Sequence, residues 1–249
     1  MIFHGWDWFL ALLGALLVGV AKTGITGLSL LFVSLFASVM PARRSTGVVL
    51  PLLILGDLVA VWSYRSHANW RHFRRLFPWA ALGVVCGAVA LGRMDDRQAR
   101  LAIGLIVVGL TVMHVIRRAR SRPSDPEEQA AWFAPVFGVL AGFTTIVSNA
   151  AGPLMVIYLL AMRLPKMEYM GTGAVFFLAL NLFKVPFMIY LGLVNSGSLW
   201  LDLELAPAVL AGAWLGRVLL GRINQRVFEN VALVLTLLAG ARMLASALL

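Results

Sequence analysis

Residues 6–40 read WDWFLALLGALLVGVAKTGITGLSLLFVSLFASVM, an apolar run interrupted at Lys22-Thr23-Gly24-Ile25-Thr26-Gly27. A membrane-crossing helix needs about 20 apolar residues, so this run is too long for one ordinary span. The pieces beside the interruption hold about 10 to 16 residues, roughly 15–24 Å at 1.5 Å per residue. Each is short of the hydrocarbon thickness. Two shapes fit: a re-entrant hairpin with its tip mid-membrane, or one tilted, broken span. Residues 132–163 have the same build, with the interruption at Ser148-Asn149-Ala150-Ala151-Gly152-Pro153.

Outward from these two runs, further apolar stretches lie at 45–64, 73–92 and 99–116, then at 168–192, 205–222 and 226–248. They are continuous rather than alternating, which argues against strands. Backbone in lipid must satisfy its own hydrogen bonds, so helices are expected. The whole composition agrees. Of 249 residues, 61% are hydrophobic and 13% charged, whereas a soluble domain is about half apolar and a quarter charged. Disorder is excluded by the hydrophobicity, and a water-soluble enzyme could not hide so much apolar surface. The expected class is an all-α polytopic protein in a lipid bilayer.

The net charge is +10. In a bilayer protein this reads as basic residues collecting in cytoplasmic loops, and no nucleic-acid partner is expected. The single cysteine, Cys86, permits no internal disulfide, and the four histidines are scattered. No metal and no cofactor are expected. The start of the chain, Met1 to Asp7, lacks the basic region of a cleaved signal peptide.

Residues 117–131 are rich in Arg, Pro and acidic residues and read as a solvated cytoplasmic linker between a first repeat, 1–116, and a second, 132–249, within one membrane domain. At an offset of 124, Gly14 meets Gly138, Pro41 meets Pro165, Gly47 meets Gly171 and Asp57 meets Asn181. At an offset of 129, Pro78 meets Pro207, Gly83 meets Gly212, Gly87 meets Gly216 and Gly92 meets Gly221. The spaced series marks a repeat, and its glycines read as helix-packing surfaces. Charge gives the orientation. If each first run returns to its starting side, three more crossings invert the halves, and thirteen Lys and Arg fall inside against six outside. If each first run crosses once, the count is nine against ten. The positive-inside rule favours inversion. The loop 65–75 is basic while its equivalent, 193–204, carries Asp202 and Glu204 and no Lys or Arg. The expected architecture is therefore two inverted repeats, each a broken or re-entrant helix pair followed by three transmembrane helices.

Inverted repeats with interrupted helices are a transporter signature, with the site near the midplane where the breaks meet. Half-helix N-termini present free N–H groups to an anion. Here they start near Gly27, Leu28 and Ser29, and near Gly152, where Pro153 suits a first-turn position. Ionisable residues inside the runs are expensive and mark a pathway. Lys22 is expected to bind the anion, with capping of the preceding half-helix's carbonyls as the structural alternative. Lys184 either lines the site, with the Leu182 carbonyl freed by Pro186 as a partner, or snorkels to the interface. Asp57 is either a proton carrier or a permanent counter-ion to a lysine. Thr23, Gly24, Gly27, Ser148, Asn149, Gly152 and Asn181 complete the expected substrate site. Thr26, Thr144 and Thr145 are further polar groups of the breaks. Trp62, Trp79, Tyr190 and Trp200 read as interfacial anchors, and His114 as interfacial. No catalytic residue stands out: Ser148 has no base at a fixed spacing, and there is no paired-carboxylate, HExxH or nucleotide-binding pattern.

The stretch Gly19-Val20-Ala21-Lys22-Thr23-Gly24-Ile25-Thr26-Gly27-Leu28 resembles the first-half signature of TauE/SafE-type membrane transporters, the sulfite exporter or toluene-sulfonate uptake permease family. Residues 148–153, then Leu164-Pro165-Lys166-Met167-Glu168, Gly171-Thr172-Gly173-Ala174 and Asn181-Leu182-Phe183-Lys184-Val185-Pro186-Phe187 are similar to its second repeat. The resemblance covers all but the linker. A richer glycine run is common at the family's first break, and Thr26 stands where a proline is usual. The resemblance implies transport of sulfite, sulfoacetate or related sulfonates across the bacterial inner membrane. The expected mechanism is a secondary transporter of small anions working by alternating access, with proton coupling through Asp57 as one option. The alternatives are a passive anion or small-solute channel, a non-transporting membrane partner protein, and a membrane hydrolase using Ser148. The sequence is also compatible with a homodimer.

Overall fold

The computed structural model describes residues 5–24, 28–91 and 126–248, together with residues 105, 108, 109 and 112. Most of the expected run at 99–116, the linker up to 125, Gly92, His114, Thr26 and Gly27 lie outside the described residues. Among the described residues all regular structure is helical: α1 (Gly5–Thr23), α2 (Ser29–Val39), α3 (Ala42–Tyr64), α4 (Trp70–Leu91), α5 (Pro126–Ser148), α6 (Gly152–Ala161), α7 (Lys166–Tyr190), α8 (Ser196–Arg222) and α9 (Gln225–Leu248), with a short 3-10 turn at Arg65–His67. Among the described residues five segments are long and apolar enough to cross a membrane: Gly5–Thr23, Arg44–His67, Trp70–Ala90, Lys166–Tyr190 and Ser196–Arg222.

Both interruptions are true helix breaks, and the sequence explains each. At Asn149 the backbone turns left-handed, with φ of 54°. Asn tolerates that region better than most residues. Its amide still reaches the Thr145 carbonyl at 2.9 Å, and the Ala150 amide reaches back to Thr144 at 3.3 Å. α5 is thereby closed, and α6 restarts at Gly152 with proline in its first turn, where a missing N–H costs nothing. At the other break the Tyr64 hydroxyl donates to the Thr23 carbonyl at 2.7 Å, capping the end of α1. Lys22 is therefore not the cap of that helix.

Each short helix folds back along its predecessor. Phe36, late in α2, lies against Gly14, midway along α1. Tyr158 of α6 has its ring 6.3 Å from that of Phe137 in α5. Residues 153 to 159 of α6 are all buried, so this ten-residue helix, about 15 Å long, sits inside protein. Both runs are helical hairpins within the protein, and α1, at 19 residues, is by itself long enough to be a span.

Two boundaries differ from the sequence reading. α5 begins at Pro126, so the last residues of the expected linker are helical. Residues 196–204, read as loop, form the start of α8, because Asn195 and Ser198 make a reciprocal capping box. Asp202 is accordingly buried in that helix rather than lying in a solvated loop.

Glycines set the packing. α1 lies along α8 in the same direction: a Cβ at Gly212 would fall on the Leu16 carbonyl, and one at Gly216 would meet Val20 and Thr23. α4 lies along α5 likewise, Gly83 against Val139 and Gly87 against Phe143 and Ile146. α3 and α7 run in opposite directions. Gly47, early in α3, meets Leu193 beyond the end of α7, while Gly171, early in α7, meets Tyr64 at the end of α3. The larger apolar core surrounds α6; a smaller one joins α1, α2, α3 and α8.

Candidate functional site

The two breaks meet beside the α3–α7 crossing, and a chain of polar side chains runs through that point. Lys22 Nζ lies 2.8 Å from Asp57 Oδ1, and 4.3 Å from the centroid of the Phe177 ring. Asn181 Nδ2 donates to Asp57 Oδ2 at 2.6 Å. Lys184 Nζ donates to Asn149 Oδ1 at 2.6 Å, to Thr145 Oγ1 at 3.3 Å and to Asn181 Oδ1 at 3.5 Å. Asn149 Nδ2 donates to the Thr46 carbonyl at 3.1 Å. The chain thus joins the end of α1, mid-α3, α7 and the end of α5. Asp57 and Lys184 are 0% exposed and the Lys22 side chain is 11% exposed.

Asp57 is paired with Lys22 in this structure, an arrangement that suits a counter-ion and a proton carrier alike. Lys184 does not snorkel, being fully buried, and its ammonium reaches across to α5 rather than to the Leu182 carbonyl. Buried charges need partners: Asp57 has Lys22 and the Asn181 amide, whereas Lys184 is held by the neutral Asn149, Thr145 and Asn181.

Two small cavities flank Lys22. One, about 40 Å³, is lined by Lys22, Ser29, Phe32, Thr145, Asn149, Gly152, Phe177 and Asn181 among others. The second, about 30 Å³, has an apolar wall from Met155, Leu159, Met170 and Ala174. Both share Ala21, Lys22, Gly152 and Phe177. Either could hold water, which needs about 10–15 Å³ of such volume.

Of the expected site residues, Lys22, Asp57, Asn149, Gly152, Asn181 and Lys184 come together here. Three others have different engagements. The Thr23 hydroxyl donates to the Ala213 carbonyl at 2.6 Å and to Gly19 at 3.1 Å. Gly24 is pressed against the backbone of Gly216. Ser148 donates to the Thr144 carbonyl at 3.3 Å. Gly27 lies outside the described residues. Phe177 and Ser29 were not among the expected site residues. Phe177 stands four positions before Asn181 and seven before Lys184, so helical spacing puts all three on one face. Trp62, Trp79, Tyr190 and Trp200 are exposed, as anchors would be. No group of three or more potential metal ligands occurs among the described residues.

The family model for the sulfite exporter TauE/SafE matches residues 11–243, nearly the whole chain. The chain belongs to the TauE/SafE family. No curated protein and no solved structure matches it. Membership makes this a multi-pass membrane protein of a transporter family rather than an enzyme family, with a small anion as the kind of solute handled.

Proposed function

We propose that this TauE/SafE protein is a secondary transporter of small sulfur-containing anions, sulfite, sulfoacetate or related sulfonates, in the bacterial inner membrane. The observation that carries the reading is the charge balance at the breaks. Lys22 pairs with Asp57, and a second lysine, the fully buried Lys184, is held in the same chain of hydrogen bonds. With all three ionised the cluster holds one surplus positive charge, which a monovalent anion would neutralise. Lys22 and Gly152 border both cavities and supply the charge and a half-helix N-terminus. Asn149, Asn181 and Lys184 hold the frame.

Alternating access between two inverted repeats fits the packing. Asp57 and Asn181, equivalent in the repeat, hydrogen-bond to each other at a separation of 124 residues, as residues on a pseudo-two-fold axis do. The equivalent helices α3 and α7 run oppositely, and the Gly83 and Gly212 contacts are counterparts. One repeat rocking against the other would expose the cluster to each side in turn. Asp57 would carry a coupling proton when its pairing with Lys22 is broken by substrate.

The test is sulfite efflux from loaded proteoliposomes, wild type against Lys22→Ala, with and without a proton gradient. The reading predicts saturable flux that requires Lys22 and responds to the gradient. Flux of wild-type size in the variant would remove Lys22 from the pathway.

A further inference from the structure

We infer that Ser29 contacts the substrate, its hydroxyl donating a hydrogen bond to an oxygen of the bound oxyanion between the N-termini of α2 and α6. This rests on reading the cavity beside Lys22 as the anion site, and it identifies the group that reads the anion's oxygen atoms. Ser29 opens α2 and is 9% exposed. Its Oγ is buried and has no hydrogen-bond partner among the described residues. Folded proteins seldom leave a buried hydroxyl unpaired, because desolvation is then uncompensated. The polar neighbours around the same cavity are committed: Lys22 to Asp57, Asn181 to Asp57 and Lys184, and Thr145 and Asn149 to Lys184.

The placement supplies the rest. Leu28 and Ala151, which precede α2 and α6, give no side-chain cap, and the first-turn amides of a helix lack intrahelical acceptors. A Cβ at Gly152 would overlap the Ser29 hydroxyl, so the hydroxyl lies in the gap between the two helix starts. An oxyanion there would take the Ser29 proton donor, amides from both helix ends and the positive field of each. A hydroxyl donor favours ligands with oxygen acceptors.

The experiment compares wild type, Ser29→Ala and Ser63→Ala by sulfite uptake in proteoliposomes and by thermal unfolding in detergent, with and without sulfite. Ser63 is the control, since its buried Oγ on α3 is also unpartnered and it borders neither cavity. We expect Ser29→Ala to raise the KM for sulfite about tenfold, as loss of a charge-assisted hydrogen bond does. It should also reduce the stabilisation by sulfite while leaving the unliganded protein at least as stable. Ser63→Ala should keep the wild-type KM. A Ser29→Ala protein with wild-type KM overturns the assignment while leaving the anion reading standing, and so does one whose unliganded stability falls with its activity, which marks a structural serine. Wild type that neither transports sulfite nor is stabilised by it overturns the anion reading, and this inference with it.

Discussion

At the scale of single residues, Lys22 and Asp57 form an ion pair, and its structural part can be separated from the transport role proposed for it. Removing Lys22 alone strands a fully buried carboxylate, and breaking such a pair costs about 3–5 kcal/mol. Lys22→Ala should therefore lower the thermal midpoint as well as abolish flux. The double variant Lys22→Met with Asp57→Asn removes both charges and should recover most of that stability without recovering transport. A midpoint for Lys22→Ala equal to wild type would mean that the pair is solvated. Lys22 and Asp57 were visible in the sequence because ionisable groups in apolar runs stand out, but their pairing was not, since it depends on how α1 and α3 cross. Thr23 shows the complementary failure. A threonine in a helix break looks the same whether it donates to a solute or to a neighbouring carbonyl, and its partner, Ala213, lies 190 residues away.

At the scale of elements, the helix pairs α1–α8 and α4–α5 depend on glycine. Alanine at Gly212 or Gly83 would press on a backbone carbonyl of the facing helix, and overpacking typically costs about 1–3 kcal/mol. Both variants should unfold at lower temperature and by similar amounts, because the two contacts are alike. Gly221, late in α8, has open space around its Cβ position, so Gly221→Ala should be neutral or raise stability by about 0.5–1 kcal/mol. Thermal unfolding in detergent orders the three; a Gly212→Ala protein as stable as Gly221→Ala would refute the packing argument. The helices themselves were largely legible, because continuous apolar runs bounded by Pro, Gly and charge leave little choice in lipid. The start of α8 was not. Asp202 and Glu204 looked like loop residues, and the Asn195–Ser198 capping box that begins the helix among them is a short polar pattern common in loops.

At the scale of the whole molecule, the account requires the two halves to be inverted. The 3-10 turn at Arg65–His67 and the start of α8 lie at opposite ends of α3, as the Gly171 and Gly47 contacts fix. Ser66 and Ser196 are exposed there. In a Cys86→Ser background, Ser66→Cys should be labelled from the cytoplasm and Ser196→Cys from outside. Labelling of both from one side would refute inversion. The proposed repeat rests on the spaced glycines and prolines of the sequence. What the sequence withheld was that its two equivalent polar positions, Asp57 and Asn181, touch, which only a crossing of α3 with α7 can bring about. Alternating access at the charged cluster of this crossing has a kinetic signature in counter-flow. Labelled sulfite uptake is measured in proteoliposomes with and without internal sulfite, for wild type and for the folded Lys22→Met, Asp57→Asn double variant. The account predicts uptake accelerated by internal sulfite in wild type and none in the double variant. Uptake indifferent to internal sulfite, or undiminished in the double variant, would contradict it.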